Sequence, residues 1–222
     1  VTYVYALVDE EPGGPLGEGL AGEPLRLVAC GPVSAVVGEP ESRPRADRAA
    51  LTGHDTAVRR LAERFGALLP ARFGEWLPDE SALAARLEPR AAELAEALAL
   101  VRGCVQMTLR VFGEPLPESS EEKEAGGPGA RYLAARRRAW ERARSLPEID
   151  PLREALRPFL RAERMERKAT GLMLGTAFHL VPRPRTGDYL RVLEDTRARL
   201  GGRRVAVSGP WPPYAFGPEG AP

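Results

Sequence analysis

The sequence predicts an α+β protein of two domains, each with a mainly antiparallel sheet, the second one ferredoxin-like. Three observations carry this. Short runs such as YVYALV (3–8) and GLMLGTAFHLV (171–181) have the length and the β-branched and aromatic content of strands. Between such runs, apolar residues recur every three or four positions, which marks helices. The order of elements reads β-β-β-α-β-α through residue 103. It then reads β-α-(α)-β-β-α-β, the order of a split β-α-β unit once a short strand near 165–170 is counted. We therefore expect an N-terminal domain at 1–103 and a C-terminal domain at 104–222, with helices on one face of each sheet.

Each element has its own warrant. PLRLVACG and VSAVVGE are apolar runs joined by the turn dipeptide Gly31-Pro32, a candidate antiparallel pair. Leu51, His54, Val58, Leu61, Phe65 and Leu68 fall on one helical face, with Asp47 as a possible N-cap. LLPARFGEWL (68–77) reads as one edge or bulged strand, because Pro70 and Gly74 interrupt an apolar run. Regular alternation there would put Arg72 and Glu75 on opposite faces. Asp79 opens a second helical pattern, which Pro89 should kink and Gly103 end. VQMTLRVF (105–112) alternates and predicts a half-buried strand with Gln106, Thr108 and Arg110 on its polar face. Residues 113–130 are acidic and aperiodic, a mobile loop, and a helix runs from about Tyr132 to Leu146. Asp150-Pro151 reads as an N-cap followed by proline at the first helical position. Asp188 should cap the last helix, Gly201-Gly202 close it, and RVAVSG form the final strand.

Composition narrows the function. Of 222 residues, 43% are hydrophobic and 28% charged, an ordinary globular balance. A net charge of +1 provides no global field to draw nucleic acid or an anionic membrane. No apolar run approaches the ~20 residues of a membrane helix, and the first residues lack the basic and apolar segments of a signal peptide. Cys30 and Cys104 make no disulfide framework, so a reducing cytoplasm is the expected compartment.

No residue set stands out as catalytic, metal-ligating or cofactor-binding. Gly17 to Gly22 matches G-x-G-x-x-G, but no strand runs into it and no helix starts on it. His54 lies on an apolar helical stripe, where a core or interface role outweighs that of a base, and His179 falls inside a strand. Neither has the spacing of a zinc site. The arginine-rich stretch 131–144 carries Tyr132, Arg136, Arg137 and Trp140 but no aromatic ribonucleoprotein signature. A solvated face or a surface for an acidic protein is the better reading. The tail GPWPPYAF (209–216) combines rigid prolines with Trp211, Tyr214 and Phe216, suited to covering the second domain's core or to docking a partner.

Three of these stretches resemble, in order and rough spacing, the gas vesicle protein F/L family. LLPARFGEWL is similar to its L-P-x-R-F-G stretch, ARYLAARRR to its A-Y-L-x-x-[KR] segment, and GPWPPYAF to its terminal G-P-W-P-P-Y-x-F. Gln106 stands where the family has Glu, and GLMLGTAFHLV replaces an N-x-A-Y-L-V pattern, which leaves F versus L open. The resemblance implies a cytoplasmic, gas vesicle-associated assembly protein without catalytic activity or cofactor. It would bind the small hydrophobic shell subunit, gas vesicle protein A, and other accessory proteins, as chaperone or minor shell component. On that reading Arg72, Phe73, Trp76, Tyr132, Arg136, Arg137, Trp211, Tyr214 and Phe216 are the candidate interface, with the arginines pairing to acids on the partner. Two other classes stay open. A small-molecule sensor or enzyme would show a pocket around Arg72, Glu75 and His54, and an RNA-binding protein would show salt-dependent affinity.

Overall fold

The computed structural model describes residues 1–9, 13–116, 129, 132, 133, 136, 137, 143 and 145–218. It divides into two compact units, Val1–Gln106 with Pro210–Pro222, and Met107–Gly209. The tail, expected on the core of the C-terminal half, thus belongs with the N-terminal unit.

In the N-terminal unit, β1 (Thr2–Val8), β2 (Arg26–Cys30), β3 (Val33–Gly38) and β4 (Leu68–Pro70) lie in the order β2-β3-β1-β4. A two-residue strand, β5 (Trp76–Leu77), pairs with β1 as well, and every pairing is antiparallel. β1 is buried along its whole length, so both faces of the sheet are covered there, not one as expected. Its register against β3 shifts between Val4 and Ala6. Such a bulge moves every later side chain to the other face. Accordingly Tyr3 and then Ala6 and Val8 share one core with Ala57, Val58 and Leu61. Val4 and Leu7 are buried outside that cluster.

The helix α1 (Arg48–Arg64) begins where predicted, with the Asp47 side chain accepting from Ala50 N–H at 2.9 Å. Its Arg60 donates to Glu18 O, and Arg64 donates to Pro15 O and Gly13 O. Two guanidiniums thereby hold the long β1–β2 connection by its backbone. Asp79 caps α2 (Glu80–Leu87) in the same way. Pro89 then forces a 3-10 turn, Glu88–Arg90, before α3 (Ala91–Val101), the break that a missing backbone donor requires.

The C-terminal sheet comprises β6 (Cys104–Phe112), β7 (Ala162–Thr170), β8 (Met173–Pro182) and β9 (Arg204–Trp211), in the order β7-β8-β6-β9. Numbered by chain order this is 2-3-1-4, the ferredoxin-like arrangement. The optional strand near 165–170 is a full nine-residue strand, hairpinned to β8. The helices are α4 (Asp150–Leu156) and α5 (Thr186–Arg197). Leu152, Leu156, Tyr189 and Leu193 from these helices bury with Met107, Leu109, Val111 and Ala177 from the sheet.

Three local expectations fail for physical reasons. Asp150 and Asp188 are not caps: 3-10 turns (Pro147–Ile149 and Arg183–Arg185) lead into both helices, so each Asp sits inside the first turn. There Asp150 meets Arg153 at 3.2 Å and Asp188 meets Arg191 at 2.6 Å. β6 is not half exposed, because Gln106 and Thr108 are buried and only Arg110 of that face is exposed. Of the helix expected at 132–146, Tyr132, Leu133, Arg136, Arg137 and Ala143 are helical; its other residues through Arg144, and most of the loop at 113–130, lie outside the described residues.

Close packing at Gly175 provides a test of this sheet. A Cβ there would lie 2.4 Å from Glu166 O and 2.7 Å from Leu146 Cδ2. A backbone carbonyl cannot step aside as a side chain can. Gly175→Ala should therefore cost about 1–3 kcal/mol, read as a lowered denaturation midpoint, and an unchanged midpoint would show that the β7–β8 packing is looser.

Candidate partner interface

LLPARFGEWL is not one strand. Pro70 pairs with Ala6 and Trp76 with Tyr3, while Ala71 N–H donates to Tyr5 O and Val4 N–H to Glu75 O. Arg72, Phe73 and Gly74 therefore loop out between two short strands on the same side of β1. The turn needs a positive φ, +94° at Gly74, which a residue with a Cβ resists.

His54 of α1 holds this loop in place. Its Nε2 lies 3.2 Å from Ala71 O and its Nδ1 2.8 Å from Tyr3 Oη. A carbonyl only accepts, so Nε2 carries the proton and Nδ1 accepts from the Tyr3 hydroxyl. The Tyr3 oxygen in turn accepts Gly74 N–H at 3.2 Å. Burial lowers the His54 pKa, which keeps the ring neutral as this chain of bonds requires. Burial also pushes the Tyr3 hydroxyl up to about 12, so it stays a donor.

Aromatic rings surround the same point. Tyr3 meets Tyr5 at 4.8 Å, Trp76 at 4.5 Å and Phe73 at 6.3 Å between centroids, and Phe73 meets His54 at 5.8 Å. Tyr5 donates to Glu23 Oε1 and accepts Leu20 N–H at 2.8 Å, while Glu23 Oε2 accepts Ala21 N–H. This second chain of bonds ties the G-x-G-x-x-G segment to β1. The segment is a loop with a single bridge, Glu18 to Pro24, and has neither flank of a dinucleotide site.

The tail reaches the same helix. The Arg59 guanidinium, paired with Asp55 at 2.6 Å, lies 4.2 Å from the Trp211 ring centre. Ala215 N–H donates to Gln106 Oε1 at 2.7 Å, and Phe216 is 2% exposed. Tyr214 is 37% exposed; its hydroxyl is pushed up to about 12 by burial, with added influence from Asp55, Arg59 and Tyr3.

The candidate residues are thus sorted by the fold. Phe73, Trp76, Trp211 and Tyr214 gather around α1 and β1 of the N-terminal unit, although more than 130 positions separate the two segments, and Phe216 is buried in the same unit. Arg72 is exposed in the loop, and Glu75 pairs with Arg86 at 3.2 Å. Tyr132, Arg136 and Arg137 are exposed on the helical segment of the other unit. Arg131, Arg138, Trp140, Arg142 and Arg144 lie outside the described residues.

A cleft of about 790 Å³ runs along Leu20–Pro24 and Glu39–Asp47, and neither Arg72, Glu75 nor His54 lines it. His54 has both ring nitrogens occupied, and among the described residues no group of three or more His, Cys, Asp or Glu is placed to hold a metal ion.

One arrangement in the C-terminal unit has the form of an acid-base relay. His179 Nδ1 lies 2.8 Å from Tyr189 Oη, and Nε2 lies 3.1 Å from Glu163 Oε1. Arg153 grips the same carboxylate at 2.7–3.1 Å. Burial raises the Glu163 pKa, but the hydrogen bonds and charges of His179 and Arg153 together outweigh it and leave the carboxyl at about 2. Both His179 and Tyr189 are fully buried, so no substrate reaches them and the network serves to join β7, β8, α4 and α5. In the same unit, buried Glu148 takes a two-pronged ion pair from Arg167, at 2.5 and 3.1 Å. Sequence reading missed every one of these pairs. The polar types were visible, but nothing in their spacing showed which ones meet.

Two antiparallel-sheet units, the second with ferredoxin-like strand order, define an α+β protein. Its whole fold is shared with solved structures. It is similar to the gas vesicle protein GvpF of Anabaena sp. PCC7120 (TM-score 0.74, 16% identity, 99% of this chain and 97% of that one) and to GvpF of Microcystis aeruginosa (TM-score 0.72, 19% identity, 97% and 98%). The family model for gas vesicle synthesis proteins GvpL/GvpF matches residues 1–218. Gas vesicle proteins L and F of Streptomyces sp. (strain CB03234) are 28% and 27% identical, over 97% of this chain and 92% and 98% of theirs. The chain belongs to the gas vesicle synthesis protein GvpL/GvpF family.

Proposed function

We propose that the protein acts in gas vesicle assembly by binding the hydrophobic shell subunit, gas vesicle protein A, and other accessory proteins, as a chaperone or minor structural component without catalysis. The observation that carries this is the gathering of Phe73, Trp76, Trp211 and Tyr214 around α1. Rigid aromatics on a fixed scaffold contact an apolar partner at low entropic cost. Leu51, on the same helix, is 46% exposed and extends the apolar surface. Arg72 stands exposed in the loop to set orientation against an acid of the partner. Membership of the family supports the setting. Among the described residues no helix is long and apolar enough to cross a membrane.

Co-purification with the shell subunit tests the proposal. Trp211→Ala/Tyr214→Ala and Phe73→Ala/Trp76→Ala should each reduce capture at least about tenfold, the loss of one or two aromatic anchors. Folded variants that capture the subunit as well as wild type would place the interface elsewhere, with Tyr132, Arg136 and Arg137 the next residues to replace.

A further inference from the structure

We propose that a corner of the C-terminal unit built from arginines is a second docking surface, and that it takes an acidic segment of a protein partner. Arg157, Arg161, Arg183, Arg185 and Arg191 are all exposed there. They are scattered in sequence, and the backbone brings them together. Leu160 N–H donates to Arg157 O at 3.2 Å, which closes the 3-10 turn Arg157–Phe159 after α4. Arg161 N–H donates to Leu180 O at 2.8 Å, two residues before β8 ends at Pro182. The 3-10 turn Arg183–Arg185 follows at once. Its Arg185 guanidinium lies 4.8 Å from the Phe159 ring centre, so the two turns face each other. Arg191 joins them from α5 through Asp188, which both it and Arg185 approach.

Prolines stiffen this display. Pro158 lies inside the first turn, and Pro182 and Pro184 flank Arg183, each with a fixed backbone angle. A backbone already fixed gives up little freedom when its side chains are engaged. The charge at the corner is only partly met. Asp188 lies 4.0 Å from Arg185 and 2.6 Å from Arg191, one carboxylate between two guanidiniums. Arg157 makes no ion pair with any described residue.

The chemistry of the corner selects protein carboxylates over nucleic acid. A guanidinium fork matches a carboxylate with two parallel bonds. Base stacking needs an open ring face, and Arg185 lies over that of Phe159. The Asp188 carboxylate, set among the arginines, opposes a run of phosphates. A net charge of +1 makes the positive excess local, with no wider field to hold a polyanion. Leu190, 39% exposed beside Arg191, offers an apolar contact within the same surface. The segment that fits carries acids around an apolar residue. This surface belongs to the other unit from the aromatic patch, and its role stands whether or not the shell subunit is the partner proposed above.

The probe is a short fluorescein-labelled peptide of glutamates around a central leucine, read by polarisation with the full chain at low salt. Arg157→Gln/Arg183→Gln/Arg185→Gln protein should bind it at least about tenfold more weakly than wild type, the combined loss of three exposed pairs. Arg136→Gln/Arg137→Gln removes exposed arginines from the helical segment of the same unit and should change binding by less than about twofold. Arg157→Glu, at an exposed side chain without an ion pair to any described residue, carries the test if the triple variant does not fold. It alone should weaken binding at least about threefold.

Equal losses in the two sets of variants, an unaffected Arg157→Glu protein, or a wild type that does not hold the peptide would overturn the proposal. A labelled oligothymidylate that binds more tightly than the peptide, and is lost in the same variants, would make the corner a nucleic-acid site and overturn it equally.

Discussion

His54→Leu should destabilise the protein by about 2–4 kcal/mol, even though leucine roughly fills the space. The substitution leaves the Tyr3 hydroxyl and Ala71 C=O without their imidazole partner beneath β1. Tyr3→Phe alone should cost about 1–2 kcal/mol, since it strands the Nδ1 lone pair and takes the acceptor from Gly74 N–H. The double variant should cost less than the sum by about 1 kcal/mol or more, because both ends of one bond are then apolar. Urea denaturation of the four proteins gives the cycle. Additive losses below about 0.5 kcal/mol each would mean that the Tyr3–His54 bond is not what fixes the Arg72–Gly74 loop. The consequence for function is direct, since Phe73 and Trp76 are presented by that loop and pack on Tyr3.

The second large effect concerns acid. Glu163 titrates at about 2 in the folded protein against an ordinary value of 4.5. A depressed carboxyl stabilises the fold fully above its unfolded pKa, and the contribution disappears as pH falls from about 4.5 towards 2. The shift corresponds to about 3 kcal/mol at neutral pH. Glu163→Gln should remove most of it at pH 7 and flatten the acid limb of the stability profile. The Gln carbonyl can still accept from His179, so the fold should survive the change. Buried Glu148, held down by Arg167 against the cost of its burial, adds a slope of the same sign. The residual acid dependence of the Glu163→Gln protein should therefore diminish further in Glu148→Gln. Denaturation midpoints from pH 2 to 7 measure both. An unchanged limb in Glu163→Gln would mean that its carboxylate is not the charge that folding protects.

These effects arise at groups whose meaning the sequence concealed. Helix starts at Asp47 and Asp79, the break at Pro89 and the β2–β3 turn were legible because each depends on neighbours within a few residues. Asp150 and Asp188 misled for the same reason: a 3-10 turn ahead of each helix moved the true start. The paired networks were invisible because Tyr3 and His54 stand 51 positions apart, and Tyr5 and Glu23 stand 18 apart. Periodicity could place His54 on a buried face but could not name its partners. In β1 the apolar run was clear, yet the bulge at Tyr5 that re-phases it leaves no mark in composition.

The candidate interface was legible as residues and not as a place. Aromatics at 73, 76, 211, 214 and 216 were conspicuous in the sequence, and the expected home of the tail was the C-terminal core. A chain that follows β9 to Trp211 and joins the first unit cannot be inferred from local pattern, since only tertiary contacts with Arg59 and Gln106 decide it. The tail's bond to Gln106 engages one residue of the polar face of β6, which is buried there against the plain reading of its alternation. Tyr132, Arg136 and Arg137 stayed exposed, as a solvated helical face would be.

Amide hydrogen exchange on the complex with the hydrophobic shell subunit tests the proposed role most directly. Binding should slow exchange at 71–77, along the exposed side of α1 near Leu51, and in the tail at 211–216, with no comparable change in β7 and β8. Protection confined to the C-terminal unit, or no complex with the shell subunit at all, would contradict an assembly function exercised through the aromatic surface around α1.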